Sequence, residues 1–306
     1  MSRPLKTDSW IVDGSKGFES LIVQRDVPIP ELGDYDCLIQ IQAVSLNYRD
    51  LIIPKGLYPF PLSLPRVPCS DGAGIILATG PRVTQWRRGD RICTLFNQTH
   101  QANPITPESM NSGLGGVIDG TLRKYAVLPE YGLVRAPANL SPIEASTLSC
   151  APLTAWNALY GLLPLKAGDV VLTQGTGGVS LAAVQFAVAT GAMVIATTSS
   201  TEKMERLMRM GVQQVINYKT TPEWGEVAKS HTPGGRGVDH VVEVGGPGTM
   251  AQSLKAQMKD MVRAIEVNKI RPVVDEKVFG FEEARDAYQY QWDQKHFGKV
   301  VIKVED

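Results

Sequence analysis

Residues 170–190 read VVLTQGTGGVSLAAVQFAVAT. An apolar run, Val170 to Thr173, meets a glycine-rich turn, Gly175-Thr176-Gly177-Gly178. An apolar helical pattern then runs from Val179 to Ala189 and stops at Gly191. The order predicts a strand, a tight turn and a helix N-terminus. The first N–H groups of a helix have no intrahelical partner, and the helix dipole adds partial positive charge there. A pyrophosphate fits such an end, and glycine lets it approach the main chain closely. The third glycine of the G-x-G-x-x-G pattern is replaced by Ser180, so the signal rests on its strand–turn–helix setting. Gly175, Thr176, Gly177, Gly178 and Val179 are the candidate cofactor-binding residues. A tight turn with no ligand is the plain alternative.

The alternation continues outward from this turn. Strands are predicted at 170–174, 193–198, 214–218 and 238–244, and helices at 179–190, 202–210 and about 223–230. Gly191 and Gly211 stop the first two helices. Ser199 and Glu202 have the spacing of a capping box for the second. Apolar strands alternating with helices imply an α/β fold with a doubly wound parallel sheet.

Residues 1–150 read differently. Short strand-like runs (LIVQRDV, DCLIQIQAVSL, GAGIILATG, DRICTLF, LRKYAVL) are punctuated by Pro and Gly, which implies a compact β-rich unit. Residues 96–120 are polar and glycine-rich and read as a long loop, a feature that is uncommon unless functional or mobile. Residues 272–306 return to strand, helix and strand.

Lys plus Arg and Asp plus Glu both number 31, so the formal charge is zero. No basic field points to nucleic acid or a membrane surface. The N-terminal MSRPLKTDSW lacks the apolar stretch of a signal peptide. These features lead us to expect a cytoplasmic protein acting on a small molecule. The four cysteines (Cys37, Cys69, Cys93, Cys150) form no C-x-x-C pair, and the four histidines have no metal-ligand spacing.

In an NAD-binding turn an acid about 20 residues past the first glycine holds the ribose 2′-hydroxyl. Here the second strand ends Ala196-Thr197-Thr198-Ser199-Ser200, with Lys203 in the next turn. Hydroxyls and a cation suit a 2′-phosphate, which favours NADP(H). Ser199, Lys203 and Tyr218, at the end of the third strand, are the candidates for that end. Taken alone, Lys203 also reads as an ordinary solvated lysine.

The SLNYRDL segment (45–51), PCSDGAG (68–74), Gly89-Asp90-Arg91, CAPLTAWNAL (150–159), the QGTGGVS turn and the terminal HFGKVVI together resemble the medium-chain dehydrogenase/reductases. The resemblance is to the zinc-independent branch that holds quinone oxidoreductase-like and fungal alcohol dehydrogenase-like proteins. It implies a GroES-like β-rich catalytic domain over 1–150 and 272–306 and a Rossmann domain over 151–271. Zinc members carry ligands where this chain has Asn47, Ser70 and Asp71, so that only Cys150 matches. One soft ligand does not hold zinc, which takes three protein ligands and an open position at a catalytic site. The resemblance places Asn47, Tyr48 and Asp50 near the nicotinamide as catalytic candidates. Tyr48 is the donor to a developing oxyanion, and Thr154 contacts the nicotinamide side.

The chain departs from the family after Val244. A full dinucleotide domain has six strands, ordered 3-2-1-4-5-6, whereas four are recognisable here. Apolar residues at Met250, Leu254, Met258, Met261, Val262 and Ile265 instead share one helical face, which predicts a single helix of roughly 20 residues. By family comparison about 40 residues, two strand units, are missing near Ala256-Gln257. That loss would leave Val241–Val244 as an open sheet edge and remove the strand that commonly builds the family homodimer. The expected activity is NADPH-dependent hydride transfer to a quinone, an enone or a similar activated carbonyl compound. A truncated, inactive member and a non-catalytic NADP(H)-binding protein are the alternatives.

Overall fold

Alternating burial builds the first part of the chain. In the computed structural model, which describes residues 3–60, 62–102, 104–246, 248–254, 274–280, 283, 286, 289–290, 293 and 299–303, strands β1 (Lys6–Val12) and β2 (Leu21–Pro28) pair antiparallel. Next come β3 (Asp36–Ser45), helix α1 (Tyr48–Ile52), β4 (Asp71–Thr79), β5 (Arg91–Thr94), helix α2 (Pro107–Met110), β6 (Tyr125–Pro129) and β7 (Leu133–Arg135). Five of these strands form one antiparallel sheet in the order β6-β3-β4-β5-β7. Every second residue of β6 points inward, as a sheet with one face on a core requires. Cys37, Ile39, Ile76, Trp86, Ile92 and Leu114 fill that core.

The segment 96–120, read from sequence as a long loop, carries local order. Pro107–Met110 forms one helical turn capped by Thr106, and isolated bridges join Asn97 to Gly113 and Leu114 to Ile118. The Thr106 hydroxyl accepts the Ser109 N–H at 3.2 Å, and the Ser109 hydroxyl accepts the Thr106 N–H at 2.9 Å. This reciprocal cap is built from a Ser where a Glu or Gln is usual.

Helices α3 (Pro142–Ala145) and α4 (Ala151–Tyr160) lead into the alternating region. It comprises β8 (Val170–Gln174), α5 (Gly178–Thr190), β9 (Met193–Thr198), α6 (Thr201–Arg209), β10 (Gln214–Asn217), α7 (Trp224–Ser230) and β11 (His240–Val242). Their sheet has the order β10-β9-β8-β11, which is the 3-2-1-4 half of a doubly wound sheet. The pair β9–β10 is parallel. All five residues of β8 are buried, which suits a central strand covered on both faces. Val170, Leu172, Ile195, Ile216, Trp224 and Val238 pack together beneath the sheet. Gly191 ends α5 at φ 85°, a left-handed cap that glycine takes without steric cost.

The cap of α6 differs from expectation by one residue. Ser200, not Ser199, is the N-cap, and its hydroxyl accepts the Lys203 N–H at 3.4 Å. The strand β9 ends at Thr198, so the cap falls two residues beyond it.

Among the described residues the sheet ends at β11, leaving Val242 buried and Val244 exposed at that edge. Residues 248–254 are helical, as the apolar spacing predicts. The remainder of the expected long helix, including the join near Ala256-Gln257, lies outside the described residues. Strands β12 (Val274–Gly280) and β13 (Lys299–Lys303) pair parallel as a separate ribbon.

The chain divides into two compact units, residues 1–168 with 173–192, and 169–172 with 193–306. This grouping puts α4 and α5 with the β-rich part and β12–β13 with the second unit, a different cut from the 1–150/272–306 and 151–271 division implied by the resemblance. Direct packing of α5 on α4 accounts for its placement. Trp156 of α4 meets Phe186 of α5 edge-on at 5.5 Å, and the Tyr160 and Thr190 hydroxyls are 2.6 Å apart. Among the described residues no helix is long and apolar enough to cross a membrane.

Candidate active site and cofactor cradle

The SLNYRDL segment turns from β3 into α1 at Asn47, whose extended backbone makes it the N-cap. Asp50, three residues on, accepts the Asn47 N–H at 2.8 Å. Asp50 is therefore used to fix the start of α1, and it is buried. Burial pushes its carboxyl above the ordinary range, opposed by the Asn47 N–H and the nearby Arg49. Tyr48, the first residue of α1, is 76% exposed and makes no hydrogen bond among the described residues. Its hydroxyl is thus available to a ligand.

Asp71 lies beside this turn at the start of β4 and is fully buried. Ser70 Oγ donates to one carboxyl oxygen at 2.6 Å, and the Cys150 N–H donates to the other at 3.2 Å. Burial nevertheless raises the Asp71 pKa to about 6, with the Asp50 charge adding a little and the donors from Ser70, Asn47 and Cys150 opposing. The Asn47 amide is close enough to favour the Asp71 carboxylate, yet its Nδ2 is buried without a well-formed hydrogen bond. Burial, then the Asp71 charge, pushes the Cys150 thiol up to about 11, so it is not a thiolate at neutral pH. Cys69 is buried at φ 71°, a conformation rare for a residue with a side chain. Its thiol is also raised by burial.

Cys150 carries this cluster to the glycine turn. It precedes α4, and the Thr154 hydroxyl donates to its carbonyl at 2.8 Å. Ala151, the next residue, packs under the turn, because a Cβ on Gly178 would stand 3.1 Å from the Ala151 Cβ. The turn has the form that a pyrophosphate needs. Gly175 has φ 72°, and Gly177 is the N-cap of the 13-residue α5 with no side chain capping it. A Cβ on Gly177 would meet nothing within 4 Å, so the space in front of the first N–H groups is open. Ser180 is spoken for, since its hydroxyl donates to the Gln174 carbonyl at 2.6 Å. In place of the third glycine it ties the helix back to β8. These residues fit a dinucleotide phosphate.

The adenosine-end candidates meet in the second unit. Ser199 follows β9, and the N–H of Tyr218, just past β10, donates to the Thr198 carbonyl at 3.1 Å. Lys203 is exposed one turn into α6. No acidic side chain occupies Thr198–Lys203 except Glu202, which is exposed and paired with Arg206 at 3.5 Å.

Asn47, Asp50, Thr154 and Gly175–Val179 are thus brought onto one unit, with Tyr48 at the solvent margin. Sequence reasoning missed the buried use of Ser70 and Asp71 and missed Arg49 altogether. The only signal for Arg49 was its place inside SLNYRDL.

The alcohol dehydrogenase GroES-like domain family matches residues 33–138, and zinc-binding dehydrogenase families match 178–260 and 250–302. A zinc-type alcohol dehydrogenase-like protein of Schizosaccharomyces pombe is 42% identical, covering 96% of this chain and 98% of its own length. That alignment spans 341 positions against a chain of 306 residues, so at least 35 positions have no counterpart here. A 2-methylene-furan-3-one reductase of Solanum lycopersicum is 28% identical over 99% of this chain and 80% of its own. The human quinone oxidoreductase is 28% identical over 74% of this chain and 63% of its own. A solved structure of a candidate alcohol dehydrogenase from Sinorhizobium meliloti 1021 superposes with TM-score 0.76 at 34% identity, covering 99% of this chain and 100% of that one. The GroES-like sheet, the 3-2-1-4 strand order and the glycine cradle agree with these matches. The chain belongs to the zinc-type alcohol dehydrogenase-like group of the medium-chain dehydrogenase/reductases, a family of oxidoreductases that use a nicotinamide cofactor.

Proposed function

We propose that the chain is an NADPH-dependent, zinc-independent reductase that delivers hydride to a quinone, an enone or a similarly activated carbonyl compound in the cytoplasm. The observation that carries this reading is the engagement of Asp71. Both of its oxygens already accept hydrogen bonds, from Ser70 Oγ and the Cys150 N–H. The remaining groups at the zinc-ligand positions are the neutral Asn47 and Ser70 and a protonated Cys150. Such a donor set does not suit a catalytic zinc, so no step runs through a metal. Substrates whose conjugation already spreads negative charge need the least electrophilic help, and the reductase and quinone oxidoreductase relatives are named for substrates of that kind.

The nicotinamide cofactor supplies the hydride when bound. Gly175–Val179 would hold its pyrophosphate, with Thr154 on the nicotinamide side. Ser199, Lys203 and Tyr218 would take the 2′-phosphate. Tyr48 would donate from its hydroxyl to the oxygen on which charge develops, an interaction worth most in the transition state. Asn47 and Asp50 orient that tyrosine by fixing the start of α1. Calorimetry with NADPH and NADH, NADPH oxidation over a quinone and enone panel, and metal analysis of the active protein test the reading together. Tight NADPH binding, turnover and no stoichiometric zinc are expected. Zinc-dependent turnover or equal NADH affinity overturns it.

A second reading, NADP(H) binding without turnover, draws support from the alignment positions that lack a counterpart and from a sheet that ends at β11 among the described residues. The family's fifth strand and its loop would wall the nicotinamide. NADPH binding with no oxidation across the panel favours this second reading. A homodimer would then have to form without the strand that commonly builds it in the family, and the native mass in solution tests that point.

A further inference from the structure

Arg49 stands between Tyr48 and Asp50 but faces a different space. A cavity of about 270 Å³ opens beside it, lined by Tyr58, Phe60, Phe96, Ile105 and Val117. The guanidinium carbon lies 4.5 Å from the Phe96 ring centre and 5.6 Å from that of Tyr58. Two aromatic faces therefore hold the charge in one orientation. Gly116 leaves room for it, since a Cβ there would stand 2.5 Å from Nη2.

The hydrogen bonding of Arg49 is unfinished. Nη2 donates to the Leu114 carbonyl at 2.9 Å, while Nε is buried with no partner. The guanidinium has five N–H donors. No carboxylate forms an ion pair with it among the described residues. The Asp50 carboxyl is close enough to feel this charge but forms no ion pair with it, so the guanidinium keeps donors that an acid group on a ligand can take. The cavity is just below the usual range for small-molecule sites, which suits a one-ring or short conjugated ligand. Its aromatic lining suits a flat one.

We propose that Arg49 is a specificity-determining residue that selects substrates carrying an acid group on a flat, conjugated carbonyl body. This inference rests on the reductase reading above for its reaction, and it extends that reading by naming the substrate class. The acid would pair with the guanidinium and the conjugated body would lie along Phe96 and Tyr58.

The test uses a matched pair, 4-phenyl-3-buten-2-one and its 4-carboxyphenyl counterpart, with the full chain, Arg49→Met and Arg49→Lys. Steady-state NADPH oxidation gives kcat/KM for each enone, and calorimetry without cofactor gives its binding. The native chain is expected to favour the carboxylated enone by about 10- to 100-fold, the range of a hydrogen bond to a charged group. Its KM for that enone alone should rise with salt. Arg49→Met should bring the ratio near one, and Arg49→Lys should keep part of it. A ratio of one in the native chain, or an unchanged ratio in Arg49→Met, overturns the proposal, as does an equal loss for both enones, which is what a purely structural Arg49 would give. Should Arg49→Met fail to fold, the salt dependence of the native chain and the Arg49→Lys ratio decide. If neither enone is reduced but calorimetry gives the Arg49-dependent preference, the reductase reading falls and the acid site stands. Reduction of both enones with no preference does the reverse.

Discussion

The Asp71 carboxylate accepts the backbone N–H of Cys150 at 3.2 Å, joining residues 79 apart in the chain. This bond fixes the start of α4 against β4, and Ala151, the next residue, supports the glycine turn. The buried acid is thus a strut between the turn that carries Asn47 and the glycine turn before α5.

A pH dependence follows from that burial. The Asp71 pKa is raised to about 6, so the folded chain binds this proton more tightly than the unfolded chain does. The stabilisation is therefore full below the unfolded value near 4 and is lost as pH rises through about 6. The shift corresponds to at most about 3 kcal/mol. Asp71→Asn should remove the dependence, and the variant should gain on the native protein by up to that amount between pH 4 and 7. Urea unfolding across this range measures it; a constant difference between the two proteins would refute the assignment.

Gly177→Val separates folding from cofactor binding. The backbone at Gly177, φ −77° and ψ 171°, is open to any residue, and nothing lies within 4 Å of an added Cβ. The fold should tolerate the change within about 1 kcal/mol. The new side chain would occupy the space in front of the α5 N-terminus, so NADPH affinity should fall at least about tenfold. A thermal melt and a fluorescence titration report the two effects; unchanged affinity would show that the cradle is not used.

Lys203→Ala should weaken NADPH binding by about two- to fivefold, the scale of one exposed charged contact. NADH binding should stay the same, because its adenosine ribose lacks the 2′-phosphate. Paired titrations at low and physiological salt check this. Equal weakening of both cofactors would assign Lys203 to the fold of α6, where its N–H already meets the Ser200 cap.

Tyr48→Phe removes only a hydroxyl from a side chain that is 76% exposed, so stability should hardly change. Turnover should fall by about 100- to 1000-fold with NADPH affinity intact, as for loss of one donor to a developing oxyanion. Unchanged kcat on a quinone or enone would take Tyr48 out of the mechanism.

The α/β alternation was legible because β8, β9 and their helices are locally consistent. Val170–Gln174 and Met193–Thr198 occur as read, since their apolar runs are flanked by glycine turns and caps. The strand β1 was harder to read, because KTDSWIV mixes charged and apolar residues and gains its form from pairing with β2. The helical turn at Pro107–Met110 was hidden for the opposite reason, as four residues give no periodicity to detect. The one-residue error at the α6 cap arose because adjacent serines offer the same chemistry, and only the end of β9 distinguishes them.

What the chain alone determined is the strand, glycine turn and helix at 170–190, the likeness to the medium-chain dehydrogenase/reductases and the residue types at Asn47, Ser70 and Asp71. All three are local facts of residue type and spacing. Tertiary structure decided what those residues meet. Burial raised Asp71 and Asp50, a contact across 79 residues tied Cys150 to the same cluster, and Phe96 and Tyr58 closed around Arg49. Such effects depend on which side chains are brought together and on how far water is excluded from them, and neither is written in the order of residues along one segment.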